Sequence, residues 1–421
     1  MTGQMDETGG RRWKAFAVIA TAAAVTTLDG FDAMSLSLTA PQVIKDLGIS
    51  TASLGPIFSS VFIGLLAGAL VGGATADRVG HVRTLVGSLV LFGVAGLTMP
   101  LMHTAGAILV NRVVAGIGLG AAAPIAVALM ASSLRISTFA VSMVWGGIAL
   151  GGVLAAAFNY LAAPALGWQA LFIAGGLLPA PVGLLVVAVF RDHGITRGIT
   201  RGITRGETRR PPVSALFGPG LAARSVVTAA MFFFGYVVTS MLVSWLPTVL
   251  NHRGASSLLV SSAFISINIG STLGAAGLGF LAQRLSTRAT LPVAWALAGL
   301  FLFAMTASAF GTGTLALLAA AGGTVAAGGQ ALSVALASRF YPGGGLEATS
   351  VGLMVGCGRL GQIIALNLSG SVLASGMAEQ SIFAIAGVSA LLAASCAVFL
   401  VMRGQAPFLA HPPRDAASGS R

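Results

Sequence analysis

Charge is what this chain most lacks. Asp, Glu, Lys and Arg together make up 8% of its 421 residues, where a soluble globular domain carries about 25%. Surfaces so poor in charge cannot coat the two or three soluble domains that a chain of this length would normally form, so lipid is the expected outer solvent. Cysteine is also scarce. Cys357 and Cys396 both fall in apolar runs, which excludes a disulfide framework or a Cys-x-x-Cys metal site within the chain. The five histidines have no ligand spacing, and no Gly-Lys-Ser/Thr phosphate loop is present. The reading is therefore of a protein that is not an enzyme, holds no metal or organic cofactor, and is not driven by ATP.

Apolar residues are what it has in abundance: 56% of the chain, with 57 glycines and a mean hydropathy of +0.92. Apolar spans begin near residues 13, 52, 84, 104, 137, 169, 221, 258, 288, 313, 347 and 380. Each runs about 20 residues or more, enough to cross a hydrocarbon core of roughly 30 Å as a helix. The pattern predicts an all-α membrane protein with twelve transmembrane helices. The first span carries two aspartates and is followed by no A-x-A-like processing site, so it reads as a retained helix and not a cleaved signal.

The net charge of +12 suits a nucleic-acid partner in principle, but the placement of the charges argues for topology instead. With a cytoplasmic N-terminus, Lys45 and Arg253 fall outside and Arg112 and Arg359 fall within spans, leaving 19 of the 23 basic residues inside. That bias predicts both termini in the cytoplasm of a plasma (inner) membrane and accounts for the basicity without nucleic acid. The longest polar stretch, residues 191–220, contains GITRGITRGITRGETRR. It reads as a solvated linker that anchors topology, with regulatory docking as the alternative. The expected organisation is a six-helix bundle at 1–190 with a short cytoplasmic N-terminus, a linker at 191–220, a second bundle at 221–402 and a cytoplasmic tail at 403–421.

The two bundles repeat one another. A shift of 206 residues superposes Phe58 on Phe264, Ser60 on Ser266, Gly64 on Gly270, Gly68 on Gly274, Gly73 on Gly279, Ala76 on Ala282 and Arg78 on Arg284. Transporters use a parallel repeat of this kind to rock one half against the other around a site near the membrane midplane. Small residues such as Gly64 and Gly68 also serve simple helix packing.

At these residues the chain resembles the major facilitator superfamily. The segment Gly73 to Arg83, GATADRVGHVR, is similar to the loop signature G-x-x-x-D-R-x-G-R-[KR]-[KR], with His81 and Val82 in place of basic residues. Arg112 to Gly120, RVVAGIGLG, is similar to the R-x-x-x-G-x-G-x-G pattern of the fourth span. Within the superfamily, Asp29-Gly30-Phe31-Asp32 resembles the D-G-[FY]-D of the aromatic acid:proton symporters. Ser244 to Leu250, Asn268 to Gly274, Gly328-Gly329-Gln330 and Gly358-Arg359-Leu360-Gly361 are similar to stretches of the same family in the same order. The resemblance implies the major facilitator fold in two pseudo-symmetric halves, and a gate built from Gly73, Asp77, Arg78, Gly80, Arg83 and Arg112. Three departures bear on the gate of the second half: Gln283 at the counterpart of Asp77, Ser132 where relatives often carry Glu, and Glu347 where Arg is common.

The residues speak independently of the family. Asp29 and Asp32 are three apart on a helix, so both carboxylates point to one face. A charged Asp at the bilayer centre costs about 3 kcal/mol on insertion scales, so they face a wet cavity or a partner. There they either load and release protons or form a lasting ion pair with Arg112 that pins helices together. Arg359 offers a permanent charge and a bidentate fork beside Gly356, Gly358 and Gly361, which leave room around its head group. It is the candidate for a substrate carboxylate, with a structural ion pair as the alternative. Tyr236 and Trp245 could stack on an aromatic ring or pack the helices. Gln330, Gln362 and Asn268 could bond a ring hydroxyl or join neighbouring helices.

The expected function is secondary active import of an aromatic carboxylate by proton symport with alternating access, with protons as the coupling ion and a monomer as the working unit. The expected partners are a small aromatic acid and the lipid bilayer. The alternatives are a proton-driven exporter of small organic compounds and a non-transporting membrane sensor.

Overall fold

The computed structural model describes residues 3–133, 138–190, 213–218, 221–307, 309–339 and 346–402. The repeat at 194–210 and the tail at 403–421 lie outside the described residues, as do the side chains of Ser132 and Glu347. Twelve apolar spans cross the bundle, and no strand occurs among the described residues. They are α1 (Gly3–Leu47), α2 (Leu54–Val79), α3 (His81–Thr98), α4 (Ala105–Ser133), α5 (Thr138–Leu166) and α6 (Gln169–Phe190), followed by α7 (Ala222–His252), α8 (Ser257–Leu285), α9 (Thr287–Ala304), α10 (Thr312–Arg339), α11 (Leu346–Ala374) and α12 (Gln380–Met402). All starts but the first agree with the hydropathy reading to within a few residues, because a hydrogen-bonded helix is what satisfies a spanning backbone in lipid; α1 begins at Gly3, ten residues before the apolar span. Span α6 is interrupted at Leu178, where Pro179 begins a second segment and cannot donate to the preceding turn.

The surface is the reverse of a soluble protein's. Leu70, Leu161, Leu184 and Leu317 are more than 70% exposed, while Thr26, Ser225, Thr228 and Ser350 are fully buried. Leucine meets hydrocarbon at no cost, and small residues between helices allow close approach. Most of the buried hydroxyls bond back along their own helix, as Ser35 does to the Phe31 carbonyl and Ser333 to that of Gly329, whereas Thr248 and Ser261 have no partner among the described residues.

The 206-residue repeat is a repeat of packing. In the first half α2 lies on α4, with Gly64 against Val113 and Gly116; in the second α8 lies on α10, with Gly270 against Ala320 and Thr324. A side chain at either glycine would run into the neighbouring helix. The helix turns that follow are duplicated too. Gly80 between α2 and α3 has φ 102° and ψ 143°, and Ser286 between α8 and α9 has φ 106° and ψ 144°. Gly80 N–H donates to Ala76 and Ser286 N–H to Ala282; Thr84 Oγ1 donates to the Gly80 carbonyl and Thr290 Oγ1 to that of Ser286. The second copy makes the turn with a serine in a backbone region that strongly favours glycine.

Across the two halves, α2 faces α11 and α5 faces α8. Near the α1–α2 connection both pairs are tight. Gly55 lies against Leu366, Asn367 and Gly370, Asn367 Nδ2 donates to Ser59 Oγ at 2.8 Å, and the Asn268 amide fills the recess left by Gly152. Toward the α2–α3 turn both pairs part. Gly73 on α2, Gly352 and Gly356 on α11, Gly146 on α5, and Gly277 and Gly279 on α8 have no neighbour within 4 Å of where a side chain would begin, among the described residues. The halves are therefore closed at the α1–α2 end and open at the α2–α3 end.

Candidate functional site

Between the halves lies a cavity of about 200 Å3 whose wall is shared by α1, α2, α4, α5, α7 and α11. Asp29, Asp32, Arg112, Arg359 and Gln362 all border it, so the structure brings both acids and both intramembrane arginines of the sequence reading to one place. The i, i+3 spacing of Asp29 and Asp32 does put them on the same face of α1. Their surroundings differ sharply.

Asp32 is paired. Arg112 Nη1 donates to its Oδ1 at 2.8 Å, and the arginine is 1% exposed. Arg112 Nη2 donates to Asn111 Oδ1 at 3.0 Å, and Asn111 is itself held through donation to the Ala95 carbonyl and Thr98 Oγ1. The ring of Phe172 on α6 closes over the guanidinium at 5.2 Å. This is a buried ion pair with most of its valences filled, the arrangement in which removing one partner typically costs about 3–5 kcal/mol. Asn111, next to Arg112 in sequence, and Phe172 were not singled out by sequence reasoning. A polar residue beside an intramembrane arginine was the signal that could have found Asn111.

Asp29 has no hydrogen bond or ion pair among the described residues. Arg359 likewise forms no ion pair among them, although Asp29 lies within its electrostatic reach. Its Nη1 donates to Gln362 Oε1 at 3.0 Å, one turn along α11. Phe62 of α2 lies 5.3 Å from its guanidinium and Tyr236 of α7 lies 5.8 Å away, so rings from both halves bracket the charge. Tyr236 is held by stacking on Phe232, with centroids 6.5 Å apart and planes at 20°. The expectation that glycines clear space around Arg359 needs correction. Gly358 receives the Tyr236 ring and Gly361 the backbone of Phe233, so these two draw α7 against α11; Gly356 faces open space.

Four of the predicted binding residues stand outside the cavity wall in this conformation; of these Tyr236 acts on it only through Arg359. Asn268 donates to the Phe264 carbonyl of its own helix and packs over Gly152, joining α8 to α5. Trp245 is fully buried and meets Phe58 edge-on at 5.6 Å, supporting a ring that does line the cavity. Gln330 is wedged near Gly235, and both ends of its amide lack hydrogen-bond partners among the described residues. The gate residues sit away from the cavity at the open end. Asp77, Arg78 and Arg83 are exposed, Gly73 faces open space, Gly80 makes the turn at positive φ, and Asp77 has no ion pair among the described residues. Arg112 belongs instead to the cavity wall.

A duplicated twelve-span bundle, closed at one end and open at the other around a charged cavity, defines an alternating-access transporter. The sequence model of the Major Facilitator Superfamily matches residues 22–311, and the chain belongs to that superfamily. Its fold is similar to that of a D-xylose–proton symporter, with a TM-score of 0.73 at 18% identity over 93% of this chain and 98% of that one. It is 33% identical over 386 residues to the 3-(3-hydroxy-phenyl)propionate transporter of Escherichia coli K12, covering 90% of this chain and 92% of that protein. It is also 31% identical over 399 residues to the 4-hydroxybenzoate transporter PcaK of Pseudomonas putida, covering 88% of each. These relatives bear out the resemblance carried by Asp29-Gly30-Phe31-Asp32: within the superfamily the chain falls in the aromatic acid:proton symporter family.

Proposed function

We propose that this protein imports single-ring aromatic carboxylates together with protons, by alternating access, across a plasma (inner) membrane with both termini in the cytoplasm. The observation that carries the proposal is Arg359: a permanent charge at the cavity wall that forms no ion pair among the described residues, although Asp29 lies within its electrostatic reach, and that is bracketed by Phe62 and Tyr236. A substrate carboxylate supplies the missing counter-ion, and its ring finds aromatic walls. Gln362 holds the guanidinium in position. Relatives that carry hydroxyphenylpropionate and hydroxybenzoate support the substrate class.

Of the Asp29–Asp32 pair, Asp29 carries the proton. Asp29 borders the same cavity as Arg359 and has no other partner among the described residues. A protonated Asp29 leaves Arg359 to the incoming anion, and its deprotonation on the far side restores competition for the arginine and favours release. Asp32 and Arg112 hold α1 to α4 through the cycle. Gly73, Asp77, Arg78, Gly80 and Arg83 act at the cytoplasmic gate, which stands open here. A single copy carries every group named, so the monomer is the working unit.

The test is uptake into proteoliposomes of labelled benzoate, hydroxybenzoates, gentisate and phenylpropionates with an imposed pH gradient. Accumulation of at least one acid that collapses with a protonophore is expected. Failure of the whole panel to accumulate would sink the proposal.

A further inference from the structure

The charged groups mark one end of the cavity, and the other end carries a polar feature that the transport cycle described above leaves unused. Ser37 of α1 and Ser244 of α7 both border the cavity, are 1% and 8% exposed, and have no hydrogen-bond partner among the described residues. That is unusual for a helical hydroxyl, which ordinarily bonds back to a carbonyl three or four residues earlier. Their neighbours do so: Ser35 to Phe31, Thr39 to Ser35, Thr239 to Gly235 and Ser240 to Val237. Thr239 and Ser240 also border the cavity, but their protons are committed to their own helix.

The two hydroxyls are offset alike along their own helices. Ser37 lies eight residues beyond Asp29 on α1, and Ser244 eight residues beyond Tyr236 on α7, which at 1.5 Å per residue is about 12 Å toward the closed end in each case. The wall around them is apolar, with Met34, Leu36, Phe58 and Val243. A polar group on a ligand reaching this end therefore finds these hydroxyls as its partners, one from each half of the protein.

We infer that Ser37 and Ser244 are specificity-determining residues that bind a hydroxyl on the substrate ring, and that the protein selects hydroxylated aromatic carboxylates over their unsubstituted parents. The inference rests on the proposed function, in which the carboxylate is anchored at Arg359. One ring bearing a carboxyl arm at one end and a hydroxyl at the other, with a hydrogen bond of about 2.8 Å at each end, spans a length of the same order as the roughly 12 Å rise along either helix. Serine suits the task because its hydroxyl both donates and accepts. An acid without the ring hydroxyl leaves the two serines unsatisfied in the occluded site, which is how a hydrogen-bonding pocket rejects the analogue that lacks the group. Since one serine belongs to each half, the ring hydroxyl also bridges the seam that must open and close.

The experiment measures equilibrium binding of two matched pairs to the purified protein: 4-hydroxybenzoate against benzoate, and 3-(3-hydroxyphenyl)propionate against 3-phenylpropionate. Wild type, Ser37→Ala, Ser244→Ala and the double variant are compared, with thermal stability of each recorded. The expected result is a wild-type preference for the hydroxylated member of at least one pair, a loss of about three- to fivefold in its affinity for each single variant and about tenfold or more for the double. Affinity for the parent acid should stay within about twofold. Equal losses for both members of a pair, or a preference that survives the double substitution, overturn the assignment while leaving aromatic acid transport intact. A wild type that binds both members alike does the same. A wild type that binds none of the four acids overturns the assignment and the proposed function together.

Discussion

Arg112 and Asp32 come from helices 80 residues apart in sequence and meet at 2.8 Å in the protein interior, whereas Asp29, one turn earlier on the same face of α1, forms no hydrogen bond or ion pair among the described residues. The two acids of one motif are thereby separated in role. Protonating Asp32 strands a buried guanidinium; protonating Asp29 leaves the nearby lining groups without a lost bond. The charge of the cavity divides the same way, into one hydrogen-bonded pair and one acid and one arginine that act on each other without forming an ion pair.

The first prediction follows from that division. Asp29→Asn should abolish accumulation driven by a pH gradient yet preserve substrate exchange across the membrane, with little change in thermal stability. Asp32→Asn should lower stability by about 3–5 kcal/mol, since it leaves Arg112 buried without its counter-ion. Counterflow assays and thermal unfolding in detergent check the pair. Identical behaviour of the two variants would refute the division.

Coupling through one free carboxylate predicts an electroneutral cycle. A monoanion carried with one proton moves no net charge, so accumulation should follow the pH gradient at about 1.4 kcal/mol per unit. A membrane potential, which adds roughly 2.3 kcal/mol per charge per 100 mV, should have no effect. Valinomycin-clamped proteoliposomes measure both drives, and potential-driven uptake would require a second proton.

Arg359 yields a graded series. Arg359→Gln should weaken binding of the acid by about 2–5 kcal/mol, because a buried carboxylate loses its partner. Arg359→Lys keeps the charge but loses the planar fork that lies between Phe62 and Tyr236, so it should fall between wild type and Gln. Isothermal titration gives the order, and binding unaffected by Arg359→Gln would return this arginine to a structural role.

The duplicated turn gives a prediction about stability alone. Ser286 stands at φ 106° where its counterpart is Gly80, and its hydroxyl makes no hydrogen bond among the described residues. Strain of this kind is worth about 1–3 kcal/mol, part of which a glycine returns as unfolded-chain entropy. Ser286→Gly should raise the thermal midpoint, and Gly80→Ser should lower it. A lower midpoint for Ser286→Gly would contradict the strain.

At the open end, Asp77→Asn should reduce the rate of transport with little change in equilibrium affinity, since Asp77 is exposed and remote from the cavity. Rates from uptake and affinities from titration separate the two effects. A large loss of affinity would move Asp77 into the binding machinery.

The sequence by itself determined the number of spans, the starts of all but the first to within a few residues, the all-helical class and the internal repeat. These are local or periodic properties: a run of apolar residues long enough to cross a bilayer has one way to satisfy its backbone, and small residues recurring at a fixed shift imply equivalent helix contacts. The spacing of Asp29 and Asp32 was likewise enough to place them on one face. Tertiary structure alone decided which acid is paired, because the partner of Asp32 lies on α4 and electrostatic pairing depends on distance in space. It also decided that Asn268 joins α8 to α5, that Trp245 backs Phe58, that Gly358 and Gly361 admit α7, and that Phe62 reaches Arg359 from the opposite half. Ser37 was not legible in the sequence for the same reason, and Ser244 stood there only as the first residue of a family stretch. A serine that bonds back along its helix and one that faces an empty cavity look alike until the neighbouring helices are in place.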